Sequence, residues 1–190
     1  DTSACITING KLIAACEQER YDKVKHSRNF PLDAINDCLK IAKLKIEDID
    51  VISSGFDPQK LITDLYLKPA INNRERINFL INDIEKIKNF HFLEKTIQKK
   101  LKVKKKIEFN NHHLCHLASA YYPSGFQKSI VVSYDGTGES ESGAFAIANK
   151  GKIKVLDCKN AYPNSFGLIY SAITFYLGWK PFCDEGIIMG

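Results

Sequence analysis

No apolar run in these 190 residues approaches the roughly 20 needed to cross a bilayer as a helix, so a membrane partner is not expected. The opening Asp1-Thr2-Ser3-Ala4-Cys5 lacks the marks of a secretory signal, and the expected location is cytoplasmic. No Cys-x-x-Cys pair occurs among the six cysteines, which argues against structural zinc or a redox motif; the thiols are expected to be buried and reduced. His-Glu-x-x-His is missing too. Where a zinc peptidase needs its glutamate base, the His112/His116 pair has His113. The net charge of +5 suggests a nucleic-acid partner, but the nine lysines between Lys86 and Lys106 come without aromatic interleaving or an RNA-binding signature. A solvated helical face is the preferred reading, a polyanion-binding module the lesser one, and nucleic acid is disfavoured.

What is present is a mixed pattern. Ala4 to Asn9 and Lys11 to Glu17 are β-prone runs joined by Asn9-Gly10, a strong hairpin signal. A two-residue loop there would set Cys5 opposite Ala14 and Cys16 opposite Ser3. A polar stretch from Glu17 to Asn29 precedes Pro31, after which Ile35, Cys38, Leu39 and Ala42 recur at helical spacing. A short strand at Ile49 to Ser53, a polar helical region at 59–106 and a strand at Ile107 to Phe109 follow. Next come a helix through His112 and His116, a three-strand meander over Ser129 to Tyr134, Ala144 to Ala148 and Ile153 to Asp157, and an apolar helix capped by Asn164 or Ser165 and ended by Gly178. That last helix is apolar on nearly all sides and is expected to be buried.

Two histidines four apart share a helix face, so both imidazoles can reach one cation. Asp135, at the end of the run Ile130-Val131-Val132, can add a carboxylate. His112, His116 and Asp135 are therefore the candidate metal ligands, suited to a divalent cation such as iron or zinc. The turn Asp135-Gly136-Thr137-Gly138-Glu139, with Gly143 beyond it, reads either as a plain β-turn or as a phosphate-binding loop, because glycine lets backbone N–H groups approach an anion. Gly136, Thr137, Gly138, Glu139 and Gly143 are the candidate nucleotide contacts. Arg20, Lys25 and His26 form a polar cluster that is either solvated or catalytic, Arg20 and Lys25 neutralising a phosphate or holding a carbamoyl oxygen and His26 hydrogen-bonding.

The order of strands, hairpin turns and helices outlines an α/β, actin-like (ribonuclease H-like) ATPase fold. Residues 1–128 would be the first lobe, with a helical insert at 59–106, and 129–190 the start of the second. The segments Glu17 to Arg20 with Lys25-His26 and Phe30-Pro31, Asn111 to His116 with Ala118 to Pro123, Asp135 to Glu139, and Tyr162 to Ala172 together resemble the O-carbamoyltransferase family that acts in nodulation-factor and antibiotic biosynthesis. The resemblance implies an actin-like catalytic domain related to the tRNA threonylcarbamoylation enzymes, with a metal at His112, His116 and Asp135. It also implies ATP as cofactor, carbamoyl phosphate as donor through a carbamoyl-adenylate, and a small-molecule hydroxyl as acceptor; a homodimer is compatible with it. Family members have a strand and a histidine before the position of Asp1. Beyond the position of Gly190 they add an acidic ligand and an adenylate-forming domain, so this chain is expected to be inactive alone. They commonly read Glu-x-Lys-x-Met-Gly where this chain has Ile187 in Glu185 to Gly190, which raises the alternative of a catalytically silent ATP- or metal-binding regulatory member.

Overall fold

The computed structural model describes residues 1–156 and 161–190; Cys158 and the expected strand end at Asp157 lie outside them. In chain order the strands and helices are β1 (Ser3–Ile8), β2 (Lys11–Glu17), α1 (Glu19–Asp22), α2 (Leu32–Ala42), β3 (Ile52–Ser54) and α3 (Pro58–Leu61). A π-helical segment, Ile62–Leu67, runs into α4 (Lys68–Asn72), followed by α5 (Arg76–Asn82), α6 (Ile84–His91), α7 (Leu93–Leu101) and β4 (Ile107–Phe109). Then come α8 (His112–Tyr121), β5 (Lys128–Tyr134), β6 (Gly143–Asn149), β7 (Lys152–Val155), α9 (Phe166–Tyr176) and α10 (Glu185–Met189). The architecture is mixed α/β with small sheets. Two compact units divide it, Asp1–Ile52 with Glu94–Ile107, and Ser53–Leu93 with Glu108–Gly190.

In the first unit α2 packs on the β1–β2 hairpin, burying Ala14, Ala34 and Cys38. Gln18 fixes the start of α2: its Nε2 donates to Asp33 Oδ2 at 2.7 Å and its Oε1 accepts the Ala34 N–H at 3.3 Å. Asn9 and Gly10 both take positive φ, as a type I′ turn requires. The register nevertheless departs from the simple hairpin. A bulge inserts Ile13 opposite the Ile6/Thr7 step, so Cys5 faces Ala15 and Cys16 faces Ala4. The thiols are also less buried than expected, since only Cys38 is buried among the described cysteines. Within the lysine-rich segment expected to be a solvated helical face, Lys105 Nζ donates to the carbonyls of Glu47 (2.8 Å) and Ile49 and serves as a brace.

In the second unit one cluster gathers Leu61, Ile62 and Tyr66 with Phe56, Phe79 and Phe90. The other lies where α8 covers the antiparallel β5–β6–β7 sheet, the expected meander. Val131 from β5 and Ala144, Ala146 and Ala148 from β6 meet Leu117 and Tyr121 of α8. Lys150 and Gly151, both at positive φ, make the two-residue turn between β6 and β7. Contrary to the sequence reading, α9 is not buried: Phe166, Ile169, Ile173 and Phe175 are exposed, and the covered positions are Ser171 and Thr174. The side of α9 that docks on the protein is small and polar, with Ser171 Oγ donating to Glu185 at 2.7 Å.

Leu117 is fully buried in the α8–sheet cluster. Leu117→Ala is expected to lower the unfolding free energy of the second unit by about 2–5 kcal/mol, measured by urea denaturation followed by circular dichroism.

Candidate metal centre

Asn111 caps α8 by accepting the Leu114 N–H at 2.9 Å, and the helix then presents His112 and His116 one turn apart. Asp135 follows the last residue of β5. Its Oδ2 lies 2.7 Å from His112 Nε2 and 3.3 Å from His116 Nε2, and the two ring nitrogens are 3.0 Å apart. Donors about 2.1 Å from one cation, at roughly 90–110° to each other, stand about 3.0–3.4 Å apart; the two separations involving His116 lie in that range, while the 2.7 Å His112–Asp135 contact is a hydrogen-bond length that would have to open slightly around an ion. The three side chains are partly exposed, His116 most at 48%, so the centre is open to solvent on one side.

The surroundings orient these donors. Asp135 Oδ2 and His116 Nε2 both lie on the Nε2 side of the His112 ring, which makes Nε2 the atom that faces the centre. Asp135 Oδ1 accepts the Gly136 N–H at 2.6 Å, which leaves Oδ2 as the convergent atom. His113 points the other way: it is buried, and its nitrogens lie 3.0 Å from Ser133 Oγ and 3.0 Å from the Glu141 carbonyl. The His112 hydrogen bond, with help from the Gly136 N–H and His116, holds the Asp135 carboxyl at about 2 although burial opposes it. The same bond raises His112 above its ordinary value against burial, aided by the charges of Asp135 and Glu139.

The expected nucleotide contacts lie around this turn. The Gly136 N–H is taken by Asp135 and the Gly138 N–H donates to the Glu141 carbonyl at 2.7 Å, while Thr137 Oγ1 lies 3.4 Å from the Gly138 carbonyl. Gly138 passes under the histidines, where an added Cβ would stand 3.1 Å from His113 and 3.2 Å from His112. Gly143 opens β6 against the Ser133 carbonyl and Tyr134. Glu139 turns inward, with no exposure.

The expected catalytic residues belong to the first unit. Arg20 is exposed and pairs with Glu17 at 3.4 Å. Lys25 precedes His26, which adopts φ +58°. His26 donates its backbone N–H to Glu19 Oε2 at 3.0 Å and sets Nδ1 3.0 Å from Asp1 Oδ2, so Asp1, Glu19 and His26 make a second grouping of potential ligand atoms. The roles of Asp1 and Glu19 as partners of His26 escaped the sequence reading.

The carbamoyltransferase N-terminus family matches residues 1–190. The chain belongs to that family. It is 30% identical over its whole length to an uncharacterised protein of Synechocystis, covering 32% of that protein, and 30% identical to the nodulation protein NolNO of Sinorhizobium fredii, covering 27%. An uncharacterised protein of Methanocaldococcus jannaschii is 26% identical over the same full length, of which 30% is covered. The chain therefore spans about a third of the length of these relatives. Among the described residues no helix is long and apolar enough to cross a membrane.

Two residues of this carbamoyltransferase-family chain dock α9 on the Asp135 turn, a contact that the sequence did not announce although Ser165 was a candidate cap. Ser165 caps α9 and donates its Oγ to the Asp135 carbonyl at 2.6 Å. Gly167 lies so close that an added Cβ would be 2.5 Å from the Gly136 nitrogen. Gly167→Ala is expected to displace the start of α9, lower stability by about 1–3 kcal/mol and weaken cation binding, read by thermal melts and chelator competition.

The His112–Asp135 pair also fixes a pH signature for the cation-free protein. Asp135, depressed from 3.8 to about 2, contributes stability above 3.8 that is lost as pH falls through about 2. His112, raised from 6.5, contributes stability below 6.5 that is lost as pH rises through its folded-state value. Asp135→Asn should therefore destabilise the chelated protein more at pH 5 than at pH 8.5, measured by urea denaturation.

Proposed function

We propose that the intact protein is a carbamoyltransferase. It moves a carbamoyl group from a carbamoyl-adenylate, made from carbamoyl phosphate and ATP, to the hydroxyl of a small-molecule acceptor, and this chain contributes the actin-like, ribonuclease H-like part of the transfer domain. The observation that carries this reading is the convergence of His112, His116 and Asp135 in a chain of the carbamoyltransferase N-terminus family. A divalent iron or zinc ion bound by these three would polarise an acyl or phosphoryl oxygen. The turn from Gly136 to Gly138 and the neighbouring Gly143 bring backbone close to nucleotide phosphates. The first unit by itself carries a polar group suited to the same chemistry: Lys25 and Arg20 can offset negative charge on a phosphate or carbamoyl oxygen, and His26, held by Asp1 and Glu19, can supply an oriented hydrogen bond. The acceptor oxygen bonds the carbamoyl carbon as the bond to AMP breaks, AMP leaving as a phosphate monoester anion and the hydroxyl proton passing to solvent.

One residue favours a second reading. Ile187, half exposed on α10, stands where relatives commonly carry a lysine, and it cannot pair with a phosphate. A silent regulatory member would bind ATP or metal through the same groups without turnover. The deciding experiment assays the full-length protein for ATP cleavage dependent on carbamoyl phosphate. Activity is expected in the parent and a loss of at least about 100-fold in His112→Ala and in His116→Ala. Nucleotide binding without turnover would select the silent reading, and activity indifferent to both substitutions would remove the metal assignment.

A further inference from the structure

Glu139 is a carboxylate with no solvent exposure, and its partners are all donors at one corner of the second unit. Oε1 accepts the Asp57 N–H at 2.8 Å and the His112 N–H at 3.0 Å. Oε2 accepts the Asn111 Nδ2 at 2.9 Å and shares the His112 N–H at 3.3 Å. An ionised carboxylate withdrawn from water is tolerated only when it is surrounded by donors in this way, and the positive end of α8 favours its charge.

We infer that Glu139 is a positioning residue of the metal centre, a buried clamp that sets the His112 imidazole against Asp135. The inference rests on reading His112, His116 and Asp135 as ligands. Glu139 is four residues beyond Asp135 in the same turn, while its oxygens grip the backbone of His112 itself. The clamp thus ties the segment carrying the carboxylate ligand to the first residue of the helix carrying both imidazoles. Gly138, between them, lets the turn pass so close that an added Cβ would stand 3.2 Å from the His112 side chain, so little slack remains. Packing of α8 on the sheet fixes the helix axis but not the advance of its first residue toward Asp135, and Glu139 fixes that advance. It also explains why this glutamate faces inward: a buried carboxylate satisfied by protein donors offers nothing to a phosphate.

Glu139→Gln keeps the shape but turns an NH2 toward the Asn111 Nδ2, placing donor against donor. Adding Asn111→Asp restores the contact with the roles exchanged and keeps a side-chain acceptor for the Leu114 N–H. Both variants are made in the full-length protein and read two ways: Co2+ affinity with its visible spectrum, and, without metal, hydrogen exchange at the His112 amide with the 15N shifts of its ring. Glu139→Gln is expected to weaken Co2+ binding about 10–100-fold, alter the spectrum, shift the ring signals and speed exchange, and the double variant should recover all four. Faster exchange with parental Co2+ binding, spectrum and ring shifts would reduce Glu139 to a structural role and overturn the inference, as would a double variant that stays unfolded or unrecovered. If Glu139→Gln alone fails to fold, recovery in the double variant supports the clamp. If the parent binds no Co2+, the ligand reading fails instead, and the metal-free ring shifts then decide Glu139 by themselves.

Discussion

The close seating of α8 on β6 is the constraint on which the second unit depends. Ala144, Ala146 and Ala148 line the covered face of β6, and their small side chains let the helix approach the strand far more closely than leucines or phenylalanines would. Leu117 and Tyr121 fill the space that remains. Were any of the alanines larger, α8 would ride higher and the 2.7 Å approach of His112 to Asp135 would open. The ligand geometry is thus a product of core packing, with the polar contacts completing what the alanines permit.

The polar residues on this corner divide the work sharply. His112 and His116 look toward Asp135 and solvent, whereas His113, between them in sequence, is locked in the core by Ser133 and the Glu141 carbonyl. Glu141 in turn holds Lys60; burial pushes its carboxyl up, but the Lys60 hydrogen bond and charge together with backbone N–H groups bring it below its ordinary value. Histidines of one short helix therefore have two different environments, set by the 100° step of the helix.

That step is also why the convergence of the three side chains could be read from sequence. The imidazole pair needs only a helix, which was expected through His112 and His116; Asp135 needed only a strand end. The β5–β7 meander and the two hairpin turns were legible for the same reason, since each follows from local patterns of a few residues. What stayed hidden depends on chain segments far apart. Gly167 touches the Asp135 turn from more than thirty residues away, and no local pattern encodes that approach. The inward rotation of Glu139 depends on where the start of α8 ends up. The bulge at Ile13 shifts the first hairpin by one residue without any glycine or proline to announce it. For α9, composition misled: its apolar side chains face outward, because the docking side had to be small enough to reach Gly136.

The turn from Asp135 to Glu139 combines a carboxylate facing His112 and His116, a glycine under the histidines and a buried glutamate within five consecutive residues. Such compression has an evolutionary consequence. Inserting or removing a residue between Asp135 and Glu139 moves one group off its mark, so relatives that keep both residues should also keep their spacing, with length changes falling outside the turn.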